Sequence, residues 1–455
     1  MKNICLYFQL HQPVRLRRYR FFDIGKDHYY YDDYLNESAL TRLAKNSYLP
    51  ANKLLLELIT KYPGQFFVSF SISGTTLDQL KLYCPEVIDS FKQLADTGQV
   101  EFLAETNAHS LVSLRDPEEF KKQVNQHIQE IEHLFGQTPT AFRNSELIYS
   151  DMLGADIAQM GFKAVLAEGA KQVLGWKSPN FLYCNAIEPR LKVLLKNFVL
   201  SDDIAFKFGN RSWSEWPLTA EKYLHWLQNL APKEELINLF MNYETLGENQ
   251  RKETGIFEFL KALVGLTIEQ DHIKFSTPSR VAASLQPISA AHVPQPTSWA
   301  DEERDLSAWL GNEMQNEAID KLYQLTPIIN QCQDEALLKD WQYLQASDHF
   351  YYMSTKFFSS GISKVYQNPY DTPYDAFINY MNILSDFTIQ LKKSVYENEQ
   401  ESLTDKLRQE LLKKDDIIKE LQKELQKKKD ITTKTTKAEK KEPAKKKSTP
   451  AKSQE

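Results

Sequence analysis

The first half of the chain alternates buried-strand patterns with amphipathic-helix patterns, and polar clusters follow the strands. Such alternation implies right-handed crossovers and a parallel sheet, in which strand ends meet at one edge. A barrel of this kind carries its chemistry at those ends. Strands are predicted at 4–10, 66–72, 100–104, around 141, 164–167, 193–195, 198–200 and 239–242, with helices at 48–62, 85–97, 118–135, 151–160 and 220–228 and a loop over 170–185.

Two strand ends place acids in similar sequence contexts. Ala141 and Phe142 lead through polar residues to Glu146, and a later apolar run ends at Asn242 and Glu244. One acid after a strand is more often a salt-bridge partner or a helix cap than a catalytic group. Two carboxylates on neighbouring strand ends are what glycoside hydrolysis requires, because one attacks the anomeric carbon and the other protonates the leaving oxygen.

Other strand ends add candidate binding residues. Pro13 stops the first strand and leaves His11 and Gln12 at its mouth, since proline cannot continue a central strand. A lone histidine there is structural as often as it is functional. The remaining polar clusters contribute His109, Asp203 and Arg211 as candidate substrate-binding residues.

The second half of the chain is predicted to be helical, with helices at 257–266, 305–323, 335–352 and 374–396. Leucine and isoleucine at 407, 411, 418, 421 and 425 follow coiled-coil spacing, with Lys414 in the seam. This spacing indicates either self-association through 403–425 or a solvated charged helix without a partner. The predicted parts are a barrel over 1–275, a helical region packed on it over 276–395, a charged helix over 396–428, and a disordered Lys-rich tail over 429–455.

Charge and cysteine usage exclude several function classes. The whole chain has a net charge of −6, but residues 427–455 hold 11 Lys and 4 acids and are therefore positive, which leaves residues 1–426 with a net charge of −13. A nucleic-acid partner is not expected for so acidic a body. The four cysteines are scattered, which is typical of reduced thiols in the cytoplasm. Neither a signal peptide nor an apolar run long enough for a membrane span is present, so we expect a cytoplasmic protein without a membrane partner.

Several of these segments together resemble glycoside hydrolase family 57, with the greatest similarity to its α-amylase branch. The resemblance covers roughly residues 1–385, and it lies in His-Gln-Pro at 11–13, Phe-Arg-Asn-Ser-Glu-Leu at 142–147, Met-Asn-Tyr-Glu-Thr-Leu-Gly-Glu at 241–248, and the segment from Trp309 to Gln315. It implies an incomplete (β/α)7 barrel followed by a helical region, a retaining reaction on α-glucans, and no metal or other cofactor.

The resemblance also assigns roles to residues. Glu146 matches the catalytic nucleophile, His11 matches a histidine close to the reacting sugar, and Trp309 falls near the substrate cleft. Tyr243 and Glu244 lie in the same matched segment as Asn242. At position 242 active members have an aspartate as the general acid/base, so this chain departs from the family pattern at Asn242.

The departure matters chemically, because an amide neither gives nor takes a proton at usable pH, and loss of a general acid/base costs about 10²–10⁴-fold in rate. Three hypotheses follow. The first is an α-glucan hydrolase or glucanotransferase in which another group, such as Glu244 or Glu248, supplies the acid. The second is a pseudoenzyme that binds α-glucan or maltooligosaccharide without cutting it. The third is a metal-dependent polysaccharide deacetylase, which the chain disfavours because it has no His-x-x-x-His pair.

Overall fold

The computed structural model describes residues 1–356 and 368–439. The chain divides into one compact unit, Met1–Leu391, and a second that begins at Lys392. The strands are β1 (Lys2–Leu10), β2 (Val68–Ile72), β3 (Val100–Phe102), β4 (Ala141–Arg143), β5 (Ala164–Glu168), β6 (Leu182–Asn185), β7 (Lys192–Lys196), β8 (Leu236–Asn242), β9 (Leu246–Gly247), β10 (Gln250–Arg251), β11 (Ile273–Ser276) and β12 (Ala290–Ala291).

Within the described ranges, seven parallel strands form a ring in the order β1, β2, β3, β4, β5, β7 and β8. Two narrow seams close it. Ala104, just beyond β3, bridges to Phe142 of β4, and Asn197 N donates to Asn238 O (3.0 Å) between β7 and β8. The ring confirms the predicted incomplete (β/α)7 barrel.

Helices surround the ring and then build the region that follows it. They are α1 (Asp33–Leu43), α2 (Leu49–Lys61), α3 (Gly74–Tyr83), α4 (Pro85–Asp96), α5 (Pro117–Phe135), α6 (Asp151–Gln159), α7 (Lys171–Leu174), α8 (Phe198–Asp202), α9 (Ala220–Gln228), α10 (Ile256–Ile268), α11 (Pro278–Ser284), α12 (Ser307–Leu310), α13 (Glu313–Tyr323), α14 (Thr326–Ile329), α15 (Glu335–Leu344), α16 (Ser347–Tyr351) and α17 (Pro373–Glu439).

Local sequence explains where the clearest helices begin and end. In α5 the Asp116 carboxylate accepts from Glu118 N and Glu119 N (3.1 Å each), and Pro117 occupies the first turn, where its missing N–H costs nothing. Gly136 ends the helix in the left-handed conformation (φ 66°), which glycine adopts without steric penalty. A large apolar core lies between the ring and the helices α1 to α5 and α8 to α10, each of which contributes buried apolar residues to it.

The structure corrects several predicted elements. Residues 198–200, predicted as a strand, begin helix α8, because the Asn197 side chain caps it by accepting from Leu200 N (3.1 Å). The predicted loop over 170–185 contains α7 and β6. The predicted helix over 305–323 is broken before Glu313, where Asn312 starts a new capping box, and α1 was not predicted at all.

The boundary predicted at residue 275 falls inside a strand. Strand β11 pairs in parallel with β1, and β12 pairs with β6, so sheet residues extend as far as Ala291. Both strands are short, and they lie beyond 239–242, the last strand predicted from the sequence. Residues on both sides of the predicted boundary belong to the same compact unit.

Helix α17 is one continuous helix across the predicted boundary between the helical region and the charged helix. The predicted disordered tail is helical up to Glu439, and 440–455 lie outside the described residues. In the second unit Leu407, Leu411, Ile418 and Leu421 are each at least half exposed. None of the helices that the structure describes is long and apolar enough to span a lipid bilayer.

Candidate active site

A cleft of about 680 Å³ opens at the carboxyl ends of the ring strands. Its walls come from residues far apart in the sequence, because parallel strands bring their ends to one edge. They are Gln9, His11, Gln12, Pro13, Arg15, Leu43, His109, Arg143, Glu146, Asn242, Glu244, Glu248, Asn249, Trp299, Asp348 and Tyr352.

Glu146 lies just after β4 in a tight turn, on a left-handed backbone (φ 56°, ψ 23°). Such a conformation costs a residue other than glycine about 1–3 kcal/mol, and it is found mainly where the fold positions a functional side chain. Its two carboxylate oxygens accept from Ser347 Oγ (2.6 Å) and from Trp299 Nε1 (2.8 Å). The carboxylate is therefore fixed in both position and rotation.

A buried histidine supplies the third contact to Glu146. His109 Nε2 lies 3.3 Å from Glu146 Oε1, and His109 Nδ1 lies 2.8 Å from Glu105 Oε2. Burial alone would lower the pKa of His109, but hydrogen bonds to the two carboxylates raise it to about 9. Burial in turn opposes ionisation of Glu146, yet the His109 contact holds the pKa of Glu146 below its usual value. Glu146 is thus held as the anion.

His11 forms the adjoining part of the same wall. Its ring stacks on His109 with centroids 3.8 Å apart, its Nε2 lies 2.7 Å from Asp348 Oδ2, and its Nδ1 lies 2.8 Å from Ser73 Oγ. Burial, followed by the neighbouring His109 charge, lowers the pKa of His11. The stack therefore pairs a cationic imidazole with a neutral one.

Asn242 is the last residue of β8, and it lies beside Gln9 of the neighbouring strand β1. Its side chain is half-buried and lines the cleft. No hydrogen-bond partner for this amide exists within residues 1–356 and 368–439. The wall that contains Asn242 thus presents a neutral group, free to contact a ligand.

Glu244 follows Asn242 by two residues, in a short 3-10 turn rather than in the strand. Its Oε1 accepts from Tyr48 OH (2.5 Å) and from Gln12 Nε2 (3.2 Å). Burial raises the pKa of Glu244 to about 6, although both hydrogen bonds act to lower it. This carboxyl group can therefore carry a proton at mildly acidic pH.

Four of the predicted binding residues do not line the cleft. Tyr243 is buried in the apolar core, where its OH donates to Asn52 (2.6 Å), because the turn after β8 directs it between the ring and α2. Trp309 is fully buried within α12. Asp203 is buried and accepts from Lys207 Nζ (2.8 Å), whereas Arg211 is exposed beside Trp216.

The sequence interpretation missed the contacts that come from the second half of the chain. Trp299, Ser347 and Asp348 reach the cleft from a loop and from the start of α16. Neither segment follows a ring strand, so no strand-end pattern marks them. Among the residues that the structure describes, no group of three or more His, Cys, Asp or Glu side chains is placed to hold a metal ion.

The barrel and this cleft are those of a carbohydrate-active protein, and comparison with known proteins gives the family. The model of glycosyl hydrolase family 57 matches residues 5–294. The chain is 39% identical over 412 residues to the "Putative alpha-amylase" of Methanocaldococcus jannaschii, covering 87% of this chain and 86% of that protein. The chain belongs to glycosyl hydrolase family 57.

Two solved structures share the fold at low sequence identity. A family 57 branching enzyme from Thermococcus kodakaraensis is 13% identical, with a TM-score of 0.62 over 87% of this chain and 90% of that one. The 4-alpha-glucanotransferase of Thermococcus litoralis is 14% identical, with a TM-score of 0.58 over 85% of this chain. This chain covers 59% of the glucanotransferase.

Proposed function

We propose that this protein binds α-glucan chains in the cleft at the strand ends, with Glu146 as the nucleophile of a retaining reaction and with hydrolysis impaired by Asn242. The substrate class is supported by the family and by the names of its relatives, which include an alpha-amylase, a 4-alpha-glucanotransferase and a branching enzyme. The residue roles rest on the geometry of the two cleft walls.

Glu146 has the properties of a nucleophile. It is ionised, buried and held by Ser347, Trp299 and His109, so that attack on an anomeric carbon needs no rearrangement of the carboxylate. Because these donors are fixed, a substrate bound at the mouth of the cleft meets a preformed anion.

Asn242 supplies the single observation that carries the proposal of impaired hydrolysis. Its amide lines the same cleft as Glu146, at the position where the family pattern has the acid/base. An amide can hold a sugar hydroxyl by hydrogen bonds, but it cannot protonate a leaving oxygen or activate water. The cleft thus keeps the groups for binding a glucan and the nucleophile Glu146, but Asn242 leaves it without the group that transfers the proton.

The first test measures binding and turnover separately in phosphate-free buffer. We expect maltoheptaose to bind the wild-type protein in isothermal titration calorimetry, and Glu146→Gln to retain that binding. Reducing-sugar release from soluble starch should stay near background in the wild type. Absence of maltoheptaose binding would refute the proposed ligand class, and starch hydrolysis at the rate of an ordinary amylase would refute the impairment.

A second candidate is a slow hydrolase in which Glu244 takes the place of the missing acid. The raised pKa of Glu244, about 6, favours it, because a general acid must be protonated at the working pH. In this case the wild type releases reducing sugar at low pH, and the activity falls as pH rises through about 6.

We also propose a cytoplasmic location for the protein. It is supported by the four cysteines, which are all buried and form no disulfide.

We further propose self-association through 403–425. It is supported by the exposed leucines of α17. Sedimentation analysis of Ile418→Glu tests it: a mass that falls to the monomer supports pairing through this helix, and an unchanged mass contradicts it.

A further inference from the structure

A second pocket, here called the chamber, adjoins the cleft and is lined in part by Asn242; its empty space of about 490 Å³ includes open solvent. The two share Gln9, Arg143, Asn242, Asn249 and Trp299. The chamber adds a cation and an acid of its own, Lys196 from the end of β7 and Asp202 from α8. A small molecule in this chamber would therefore contact the Asn242 side of the reaction centre.

Arg143 is the reason to expect an anion there. Its side chain is 4% exposed, and neither Nε nor Nη1 has a hydrogen-bond partner in the described part of the chain. None of the described carboxylates forms an ion pair with this guanidinium. The charge of Arg143 interacts with the carboxylates of Glu105 and Glu146, but two buried N–H donors without acceptors are costly, because their lost hydration is not replaced. An oxyanion would supply the acceptors that the fold does not.

Lys196 is the second cation, and its own partners only partly neutralise it. Its Nζ lies 3.1 Å from Asp202 Oδ1 and 4.0 Å from Glu168 Oε2. Asp202 also faces Arg304, at 3.8 Å. Neither oxygen of Glu168 has a hydrogen-bond partner among the described residues, and burial raises the pKa of Glu168 to about 7. Among the residues that line the chamber, two cations, Arg143 and Lys196, stand against one acid, Asp202.

We propose that this chamber binds inorganic phosphate between Arg143 and Lys196, and that phosphate replaces both the missing acid and water in the reaction at Glu146. The inference rests on the proposed function, since it needs an α-glucan in the cleft and Glu146 as nucleophile. It extends that function by naming the acceptor, so that the product is an α-glycosyl phosphate rather than a free sugar.

The reaction balances without a protein acid. In the first step Glu146 forms a bond to the anomeric carbon, the glycosidic bond breaks, and dihydrogen phosphate gives its proton to the leaving oxygen. In the second step an oxygen of the resulting hydrogen phosphate attacks the same carbon and releases Glu146. One glycosidic bond and one phosphate are consumed, and a shortened glucan and one glycosyl phosphate are formed.

Asn242 suits this reaction better than an aspartate would. In a retaining mechanism the acceptor attacks from the side of the acid/base, and Asn242 lines both the cleft and the chamber. A carboxylate there would repel a phosphate anion, whereas a neutral amide can donate a hydrogen bond to it. Phosphate oxygens already carry charge, so no general base is needed for the second step.

The experiment incubates the full-length protein with maltoheptaose and phosphate, and follows the products by ³¹P NMR. We expect a phosphomonoester signal whose rate saturates with phosphate, and little free reducing sugar. Arg143→Met should weaken phosphate binding by about tenfold or more, as expected when a hydrogen-bonded charge is lost. Lys196→Met provides a second test if Arg143→Met does not fold. Lys274→Gln, an exposed lysine on β11, is the matched control and should behave as wild type.

Maltoheptaose binding separates the two possible failures. If maltoheptaose binds but phosphate neither binds nor forms a phosphomonoester, the inference is wrong and the proposed function stands. Phosphate binding without product overturns the role of phosphate as acceptor. If maltoheptaose does not bind, the proposed function itself fails. Asn242→Asp should shift product from glycosyl phosphate to free sugar, and an unchanged ratio would contradict the role assigned to Asn242.

Discussion

The two walls of the cleft differ in how completely the fold has organised them. On the first wall Glu146 occupies a strained backbone position and meets donors from Trp299, Ser347 and His109. On the second wall Asn242 has no hydrogen-bond partner among the described residues, and Glu244 has its pKa raised to about 6 by burial. A retaining glycosidase needs both walls, one for attack and one for proton transfer.

If hydrolysis is impaired as proposed, this difference places the loss on the second wall. A chain that had lost its ligand would be expected to relax the strained turn at Glu146, since nothing would offset its cost. The strained turn that is kept at Glu146 supports the proposed contact of a sugar with this carboxylate. In the proposed function the change is confined to the proton-transfer side, where a different acid or a different acceptor can act.

Glu146→Gln should abolish turnover wherever turnover exists. In an Asn242→Asp background we expect loss of about 10³-fold or more in reducing-sugar release, because the covalent intermediate cannot form. Binding of maltoheptaose should persist, since the amide keeps the size of the carboxyl group. Activity that survived this substitution would mean that the first wall is not the site of attack.

His109→Gln should weaken the first wall by removing the cation beside Glu146. We expect about a 10–100-fold loss of turnover in the Asn242→Asp background, as for other hydrogen bonds to charged groups. The pKa of His109 is raised from 6.5 to about 9, so its stabilising contribution is complete below pH 6.5 and is lost as pH rises through 9. The difference in melting temperature between His109→Gln and its parent should therefore narrow over this range, and a constant difference would contradict the charge on His109.

Glu244→Gln should have a smaller effect, confined to low pH. If Glu244 donates the proton, the residual hydrolysis by the wild type is fastest below pH 6 and slows above it. Glu244→Gln should then lower this rate about tenfold. Glu248→Gln is the comparison variant, because Glu248 is the other candidate acid of the same cleft and pairs with Arg42 (3.1 Å). Equal losses in the two variants would mean that Glu244 has no special role.

Tyr48→Phe should have the smallest effect. The hydrogen bond from Tyr48 lowers the pKa of Glu244, so its removal should raise that pKa, by roughly one unit or less. Carbon-13 NMR of labelled glutamate measures the shift directly. A fall in the pKa of Glu244 would contradict the assignment of Tyr48 OH as the donor.

The sequence predicted the parts of the site that lie at the ends of ring strands. His11, Gln12, His109, Glu146, Asn242 and Glu244 all line the cleft, because the period-two pattern of a strand and the polar residue that ends it are local signals. The same signals located most ring strands and the barrel itself. They failed at 198–200, where three apolar residues fit a strand but the Asn197 cap makes a helix.

The site residues that the sequence did not predict are brought to the cleft by contacts between distant parts of the chain. Trp299 and Ser347 contact Glu146 from 153 and 201 residues away, and no local pattern links them to it. Tyr243 was expected to bind substrate because it follows Asn242, yet the turn after the strand buries it in the core. The two N–H donors of Arg143 that lack an acceptor likewise have no sequence signature, since they depend on how the side chain is buried.

The most direct test of the central claim is reducing-sugar release from soluble starch by wild type and Asn242→Asp, side by side in phosphate-free buffer. We expect near-background release by the wild type and a gain of about 10²–10⁴-fold in Asn242→Asp, because one carboxyl group completes the second wall. No gain in a variant that still binds maltoheptaose would contradict the claim that proton transfer is all the site lacks.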